Sequence, residues 1–263
     1  MGKIIAICNQ KGGVGKTTTS INLATGLAFL GKRILLIDLD AQSNTTTGLG
    51  ARGDVVNSTY DLLLRDKEVQ DCIKKIKVPP MDLIPATIDL AGSDLEMVGY
   101  KEGKEKLLKN KLEPVRDQYD FIIIDCPPAL SLSNTNALTA ADSVIIPVEC
   151  EYYALEGLTQ LLQTIRLVQQ LYNPHLFIEG VLLTKFDIRN NLSTEVQQEV
   201  RKFFKESVYR VAIPRNVKLA EAPSYGKSIF EYDVKCSGAK AYIALAKEVL
   251  ERNNQYKEVK TNA

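Results

Sequence analysis

Apolar positions in this chain gather in short runs, and most of these runs do not alternate with polar residues. They are "IIAIC" (4–8), "ILLID" (34–38), "DLIPA" (82–86), "FIIID" (121–125), "VIIPV" (144–148), "GVLLT" (180–184) and "YRVAI" (209–213). A strand that is apolar on both faces must be covered on both, the condition of a parallel sheet between helical layers. Longer segments of helical character separate many of the runs, at 16–30, 155–171, 194–206 and 239–251. Strand and helix in alternation predict an α/β fold: a single doubly wound, mostly parallel β-sheet flanked by helices. No internal repeat or low-complexity linker divides the chain, so one domain is expected over residues 1–252. Residues 253–263, "NNQYKEVKTNA", have no apolar face and are expected to form a frayed polar tail.

Composition narrows the class. With 263 residues, 45% hydrophobic and 25% charged, the chain can bury a sizeable core and is not of disordered composition. Its five cysteines are odd in number, widely spaced and free of any C-x-x-C. That argues against a disulfide framework or a zinc site and fits a reducing cytoplasm. No signal peptide is visible, and no apolar run reaches the ~18 residues of a membrane span. Charge is uneven: 18 basic against 22 acidic side chains up to residue 180, then 15 against 10 beyond it. The basic last third allows contact with a polyanion.

The densest chemistry is "NQKGGVGKTTT" (9–19), set between the first apolar run and the first helical segment. Strand, glycine loop and helix together are the context in which a glycine cluster binds phosphate. Gly12, Gly13 and Gly15, with Val14 among them, let backbone N–H groups turn toward phosphate oxygens, and the helix start adds partial positive charge. Lys16 is placed to bridge the β and γ phosphates, Thr17 to ligate Mg²⁺, and Thr18 to donate to the α phosphate. The strict pattern G-x-x-x-x-G-K-[ST] is not met, because its first glycine would be Gln10. A second lysine, Lys11, stands at the outer lip instead. Two ammonium groups in one loop repel. Lys11 is therefore expected to point away and neutralise phosphate charge across an interface, as an arginine finger does.

Two more runs end in acids. In "LLIDLDAQSN", Asp38 and Asp40 are two residues apart and share one face. At the C-terminal edge of the sheet they can reach Mg²⁺ or its waters. In "FIIIDCPPAL", four apolar residues precede Asp125, which is placed to accept from a metal-bound water. Pro127 and Pro128 stiffen the loop that follows.

"KGGVGKTTT" resembles the deviant Walker A motif of the SIMIBI-class ATPases, whose signature lysine acts across an ATP-sandwich dimer. Lys11 matches that signature lysine and Lys16 the phosphate-loop lysine. "VIIPVECEYYALEGLTQLL" and "IPRNVKLAEAPSYGKSI" resemble the ParA/Soj chromosome or plasmid partitioning ATPases, a similarity covering about residues 2–250. The resemblance implies a slow ATPase with ATP and Mg²⁺ as cofactors and a homodimer with Lys11 and Gly12 at its interface. It implies that Asp40 positions the attacking water, that Asp38 and Asp125 support the metal through water, and that Pro214 and Asn216 lie near the adenine. Ala41 and Ser43 stand where this switch segment usually has Pro and Gly.

The same resemblance implies sequence-independent binding of double-stranded DNA through Arg189 and Lys218. With the loop so near the first residue, no operator-reading N-terminal domain is expected. A ParB/Spo0J-type centromere-binding partner is implied, as is a cytoplasmic protein that joins the nucleoid when ATP-bound. A MinD-type division-site ATPase is the alternative. It would need an amphipathic C-terminal membrane helix, and "RNNQYKEVKTNA" offers no such face, so no membrane contact is expected.

Overall fold

Seven strands form one sheet: β1 (Lys3–Ile7), β2 (Ile34–Asp38), β3 (Lys74–Ile76), β4 (Met81–Ile84), β5 (Phe121–Asp125), β6 (Ser143–Glu149) and β7 (Phe177–Thr184). Their order is β3-β4-β2-β5-β1-β6-β7, parallel throughout except for the β3–β4 pair. The computed structural model describes residues 1–53, 55–128, 131–151 and 154–261. Ala129, Leu130, Tyr152 and Tyr153, within two of the stretches quoted above, and residues 262–263 of the expected tail lie outside the described residues.

Period-two geometry divides the strand residues between two cores. Ile4, Ala6, Leu35, Ile37, Ile122 and Ile124 point into one layer; Ile5, Ile7, Ile34, Leu36, Phe121 and Ile123 point into the other. The first layer is covered by the helices Leu132–Ala140, Ala154–Leu171 and Asn191–Phe204, the second by α1 (Lys16–Phe29) and the last helix, Ser237–Thr261. Burial on both faces explains why the runs read as continuously apolar. Each fully buried Leu or Ile contributes about 1.5–3 kcal/mol. α1 and the last helix cross closely at Gly26, where a Cβ would come within 3.2 Å of the Ala246 Cβ.

Three features depart from the sequence pattern. Residues 209–213 are not a strand. They run extended beside β7, with Tyr209 N–H bonded to Val181 O at 2.9 Å and Ile213 N–H to Leu183 O at 2.8 Å. The N–H groups of Arg210 and Val211 are instead taken by the Glu248 carboxylate, at 3.0 and 3.2 Å, so no ladder forms there. β3 is a short edge strand of sequence "KKI", too polar to register as an apolar run and protected at the edge by its lysines. The last helix continues well past residue 251 into the segment expected to fray. Buried Asn253 anchors this extension, donating to Glu179 Oε1 at 2.7 Å.

Candidate functional site

Parallel strands deliver their C-terminal ends to one edge, and the central three carry the chemistry there. Register pairs Ile7 with Asp125 and Asp125 with Asp38, so the glycine loop after β1 and both carboxylates meet in one row. This is the crevice at which open α/β sheets bind ligands.

The loop is shaped by its glycines. Gly13 and Gly15 have φ of 75° and 89°, in the left-handed region that favours glycine. Val14 is buried between them, its carbonyl accepting from the Thr184 hydroxyl at 2.8 Å. The stem is pinned by Asn9, which donates to Pro147 O at 2.7 Å and accepts from Lys11 N–H at 3.0 Å. Lys16, the first residue of α1, is buried, and its ammonium spans the loop to Lys11 O at 3.1 Å. Lys11 points the other way. Its ammonium meets Glu151 Oε2 at 3.2 Å, with both side chains more than one-third exposed. Gly12 has neither a left-handed φ nor any atom within 4 Å of a built Cβ, so nothing within one subunit requires glycine there.

Asp38 and Asp125 are wholly buried. Burial, followed by the nearby Asp125 charge, pushes Asp38 up to about 7, against the bonds it accepts from Thr46 and Asp40. Burial pushes Asp125 up to about 6, held down in part by the hydroxyls of Thr45, Thr17 and Ser20. Two buried carboxylates raised in this way form a site that gains from a cation. Carboxylates and threonine hydroxyls are hard oxygen donors, suited to Mg²⁺. Among the described residues no three His, Cys, Asp or Glu side chains form a metal-holding group.

Asp40 lies just outside this pair. Its N–H donates to Asp38 Oδ1 at 3.2 Å, its own Oδ1 accepts from Gln42 N–H at 2.9 Å, and its carbonyl closes a turn onto Ser43. Ser43 has φ of 54°, which explains why glycine suits this position.

Beside the loop, Gly15, Thr18, Thr184, Pro214, Asn216 and Tyr242 line a cavity of about 350 Å³. Pro214 and Asn216 thus border the glycine loop. A slightly larger cavity, about 390 Å³, lies at the opposite edge of the sheet around Lys3, Arg33 and Arg116. There Arg33 and Arg116 are already matched by Asp120 and Asp142.

Arg189 lies in the turn after Phe186, and Lys218 on the short helix Val217–Glu221 that follows Pro214, the bridge partner of Phe186. Each is exposed and each has an acidic neighbour on its own segment: Arg189 binds Asp187 at 2.8 Å and Lys218 binds Glu221 at 3.2 Å. Sequence reasoning missed those acids, as it missed Glu151, the Thr45, Thr46 and Ser20 hydroxyls, and Tyr242. The run "NTTTG" offered a hint of the threonines; nothing local signals Tyr242.

A family model described as an AAA domain matches residues 2–178. The chain is 58% identical over 250 residues to the sporulation initiation inhibitor protein Soj of Bacillus subtilis, covering 95% of this chain and 98% of that one. It is 50% identical to the chromosome partitioning protein ParA of Myxococcus xanthus, covering 96% and 89%. Among solved structures, the cobyrinic acid a,c-diamide synthase of Mycobacterium smegmatis, with bound ATP analog and magnesium, superposes with a TM-score of 0.85 at 36% identity, covering 97% and 96%.

Proposed function

This chain belongs to the Soj/ParA family of chromosome-partitioning ATPases, and on that premise we propose that it forms an ATP-sandwich dimer that binds DNA without regard to sequence, hydrolysis returning it to the monomer. ATP and Mg²⁺ are its cofactors. The observation that carries the reading is the opposed direction of two lysines in one loop: Lys16 buried across the glycines, Lys11 turned outward to an exposed partner.

Bound Mg²⁺ supplies charge neutralisation at the β and γ phosphates. The protein's own groups do the rest. The backbone of Gly12–Gly15 and the α1 N-terminus receive phosphate oxygens, and the Lys16 ammonium exchanges the Lys11 carbonyl for them. Thr17 ligates the metal and Thr18 donates to the α phosphate. Asp38 and Asp125 would hold the hydrated cation in place, and Asp40 would turn from its local contact with Gln42 to orient the attacking water. Lys11 leaves Glu151 for the nucleotide of a second copy, and the unfilled space around Gly12 is where that copy approaches.

Arg189 and Lys218 provide the DNA face, contacting phosphates and not bases. Two copies joined by ATP present this face twice, which raises apparent affinity by roughly 10²–10⁴. A ParB/Spo0J-type partner would stimulate turnover. The protein would then reside in the cytoplasm and on the nucleoid when ATP-bound. Among the described residues no helix is long and apolar enough to cross a membrane.

The test is Asp40→Ala, followed by sedimentation with ATP and by retention on DNA. The variant should bind ATP, dimerise and stay on DNA without hydrolysing. A normal hydrolysis rate removes Asp40 from its role, and sedimentation as a monomer with ATP removes the sandwich.

A further inference from the structure

Between the paired carboxylates and the Lys218 helix lies a short segment, Asn44–Gly50, that bonds to the carboxylates and packs against the turn following that helix. At one end Thr45 Oγ1 donates to Asp125 Oδ2 at 2.7 Å, and the N–H and hydroxyl of Thr46 donate to Asp38 Oδ2 at 2.8 and 2.7 Å. Both threonines are fully buried. At the other end Gly48 packs against the Ile21 and Pro223 side chains, and Gly50 meets Gly226 backbone to backbone. A Cβ built at Gly48 would come within 2.7 Å of Ile21 Cδ1 and 3.5 Å of Pro223 Cβ. Gly50 and Gly226 have φ of 65° and 62°, and a Cβ on Gly226 would lie 2.8 Å from Gly50 Cα.

The turn that contains Pro223 and closes at Gly226 directly follows the short helix Val217–Glu221. Lys218 of that helix lies over the Tyr232 ring at 5.4 Å, and Tyr225 packs against the same ring at 5.2 Å. A path from Asp125 to Lys218 therefore runs through Thr45, the Asn44–Gly50 backbone, the Gly50–Gly226 contact and the turn that follows the Lys218 helix. Such packing transmits displacement instead of absorbing it.

We propose that Asn44–Gly50 is a strut coupling the carboxylate pair to the Lys218 face within a single subunit, with Thr45 as its positioning residue. The inference rests on the reading above, in which Asp38 and Asp125 serve a hydrated cation and Lys218 meets DNA. Asp125 is loaded on both oxygens, Oδ1 by the Ser20 hydroxyl at 2.9 Å and Oδ2 by Thr45. A cation at the pair changes which donors those oxygens accept. Thr45 then tightens or releases, and Gly48 and Gly50 press differently on Pro223 and Gly226. Coupling of this kind typically changes affinity about 5–150-fold. It acts without a second subunit, unlike the avidity of the dimer.

The chain contains no tryptophan, so Tyr225→Trp, at an exposed position, makes a sole indole reporter in the full-length protein. With magnesium and the non-hydrolysable analogue AMPPNP at saturation, its emission should change by an amount independent of protein concentration. Adding Thr45→Val should reduce that change about fivefold or more, and Thr45→Ser should restore it, with occupancy fixed by equilibrium dialysis. An unresponsive reporter overturns the strut. So does an equal response in the Thr45→Val protein, or loss of nucleotide binding there, which would place Thr45 in the binding site itself. A responsive reporter in a protein that fails to retain DNA supports the strut and removes only the DNA assignment.

Discussion

Asp38 and Asp125 stand side by side at the ends of β2 and β5, register partners with no exposed surface. Burial raises both, Asp38 to about 7 with the nearby Asp125 charge adding to it, and Asp125 to about 6 with the Asp40 charge adding to it. The nucleotide-free fold therefore carries a local cost that a bound cation relieves. The two acids differ in how they can be replaced. Asp38 accepts backbone N–H groups from Thr46 and Asp40, which cannot reverse direction, whereas Asp125 accepts hydroxyls from Ser20 and Thr45, which can. Asp125→Asn should accordingly raise the nucleotide-free melting temperature, by about 2–4 °C for each kcal/mol relieved. It should also abolish the magnesium dependence of ATP binding. Calorimetry with and without magnesium reads both, and a lower melting temperature would mean that the acid is already neutralised within the fold.

The exposed Lys11–Glu151 pair is worth at most about 1 kcal/mol, weak enough for Lys11 to change partners. Glu151→Gln should shift stability by no more than about 0.5 kcal/mol and should not weaken ATP-dependent dimerisation. Lys11→Ala should retain nucleotide yet lose hydrolysis by about 10³-fold or more, the scale of a finger residue. Sedimentation and single-turnover assays separate these effects. Equal loss of ATP binding in Lys11→Ala would put Lys11 in its own subunit's site.

Arg189 forms a forked contact with Asp187, its Nε and Nη2 at 3.0 and 2.8 Å from the two carboxylate oxygens. That contact holds Asp187 at about 2. A guanidinium shared in this way contributes less to a phosphate than a free one. Asp187→Ala should tighten DNA binding by a few-fold, and Arg189→Glu should abolish DNA retention while leaving nucleotide-dependent dimers intact. In salt titrations, losing one phosphate contact per subunit should reduce the slope of log K against log salt by ~0.9 for each contact. An unchanged slope in Arg189→Glu would take Arg189 off the DNA face.

Glu248 supplies the acid limb of stability. Burial would raise its carboxyl, but the Arg210 N–H, the Arg252 guanidinium and the Val211 N–H outweigh burial and hold it below the ordinary 4.5. A carboxyl lowered by folding stabilises fully above its unfolded value and loses that contribution as pH falls through the lowered one. Melting temperature should thus fall as pH drops below about 4.5. Glu248→Gln should be less stable at neutral pH by about 1–3 kcal/mol and flatter across the acid range. Parallel melting curves for the two proteins from pH 3 to 7 would assign the acid limb to another group.

Much was legible along the chain because the decisive signals are local. Continuous apolar runs identified six of the seven strands, since a doubly covered strand cannot afford polar positions. The glycines announced their loop because left-handed φ values at 13 and 15 exclude most side chains. Where local pattern misled, at residues 209–213, a carboxylate on the last helix took the N–H groups that a strand would have used.

What the sequence alone determined is the sheet, the phosphate loop and the acids that end β2 and β5, because each is dictated by periodicity or by spacing within one segment. What only the tertiary structure decided is which side chains face them. Thr45 reaches Asp125, Glu151 holds Lys11, Tyr242 lines the cavity beside the loop, and Gly50 meets Gly226. These partners come from distant parts of the chain. Their meeting depends on strand order and helix packing, which no local run of residues encodes.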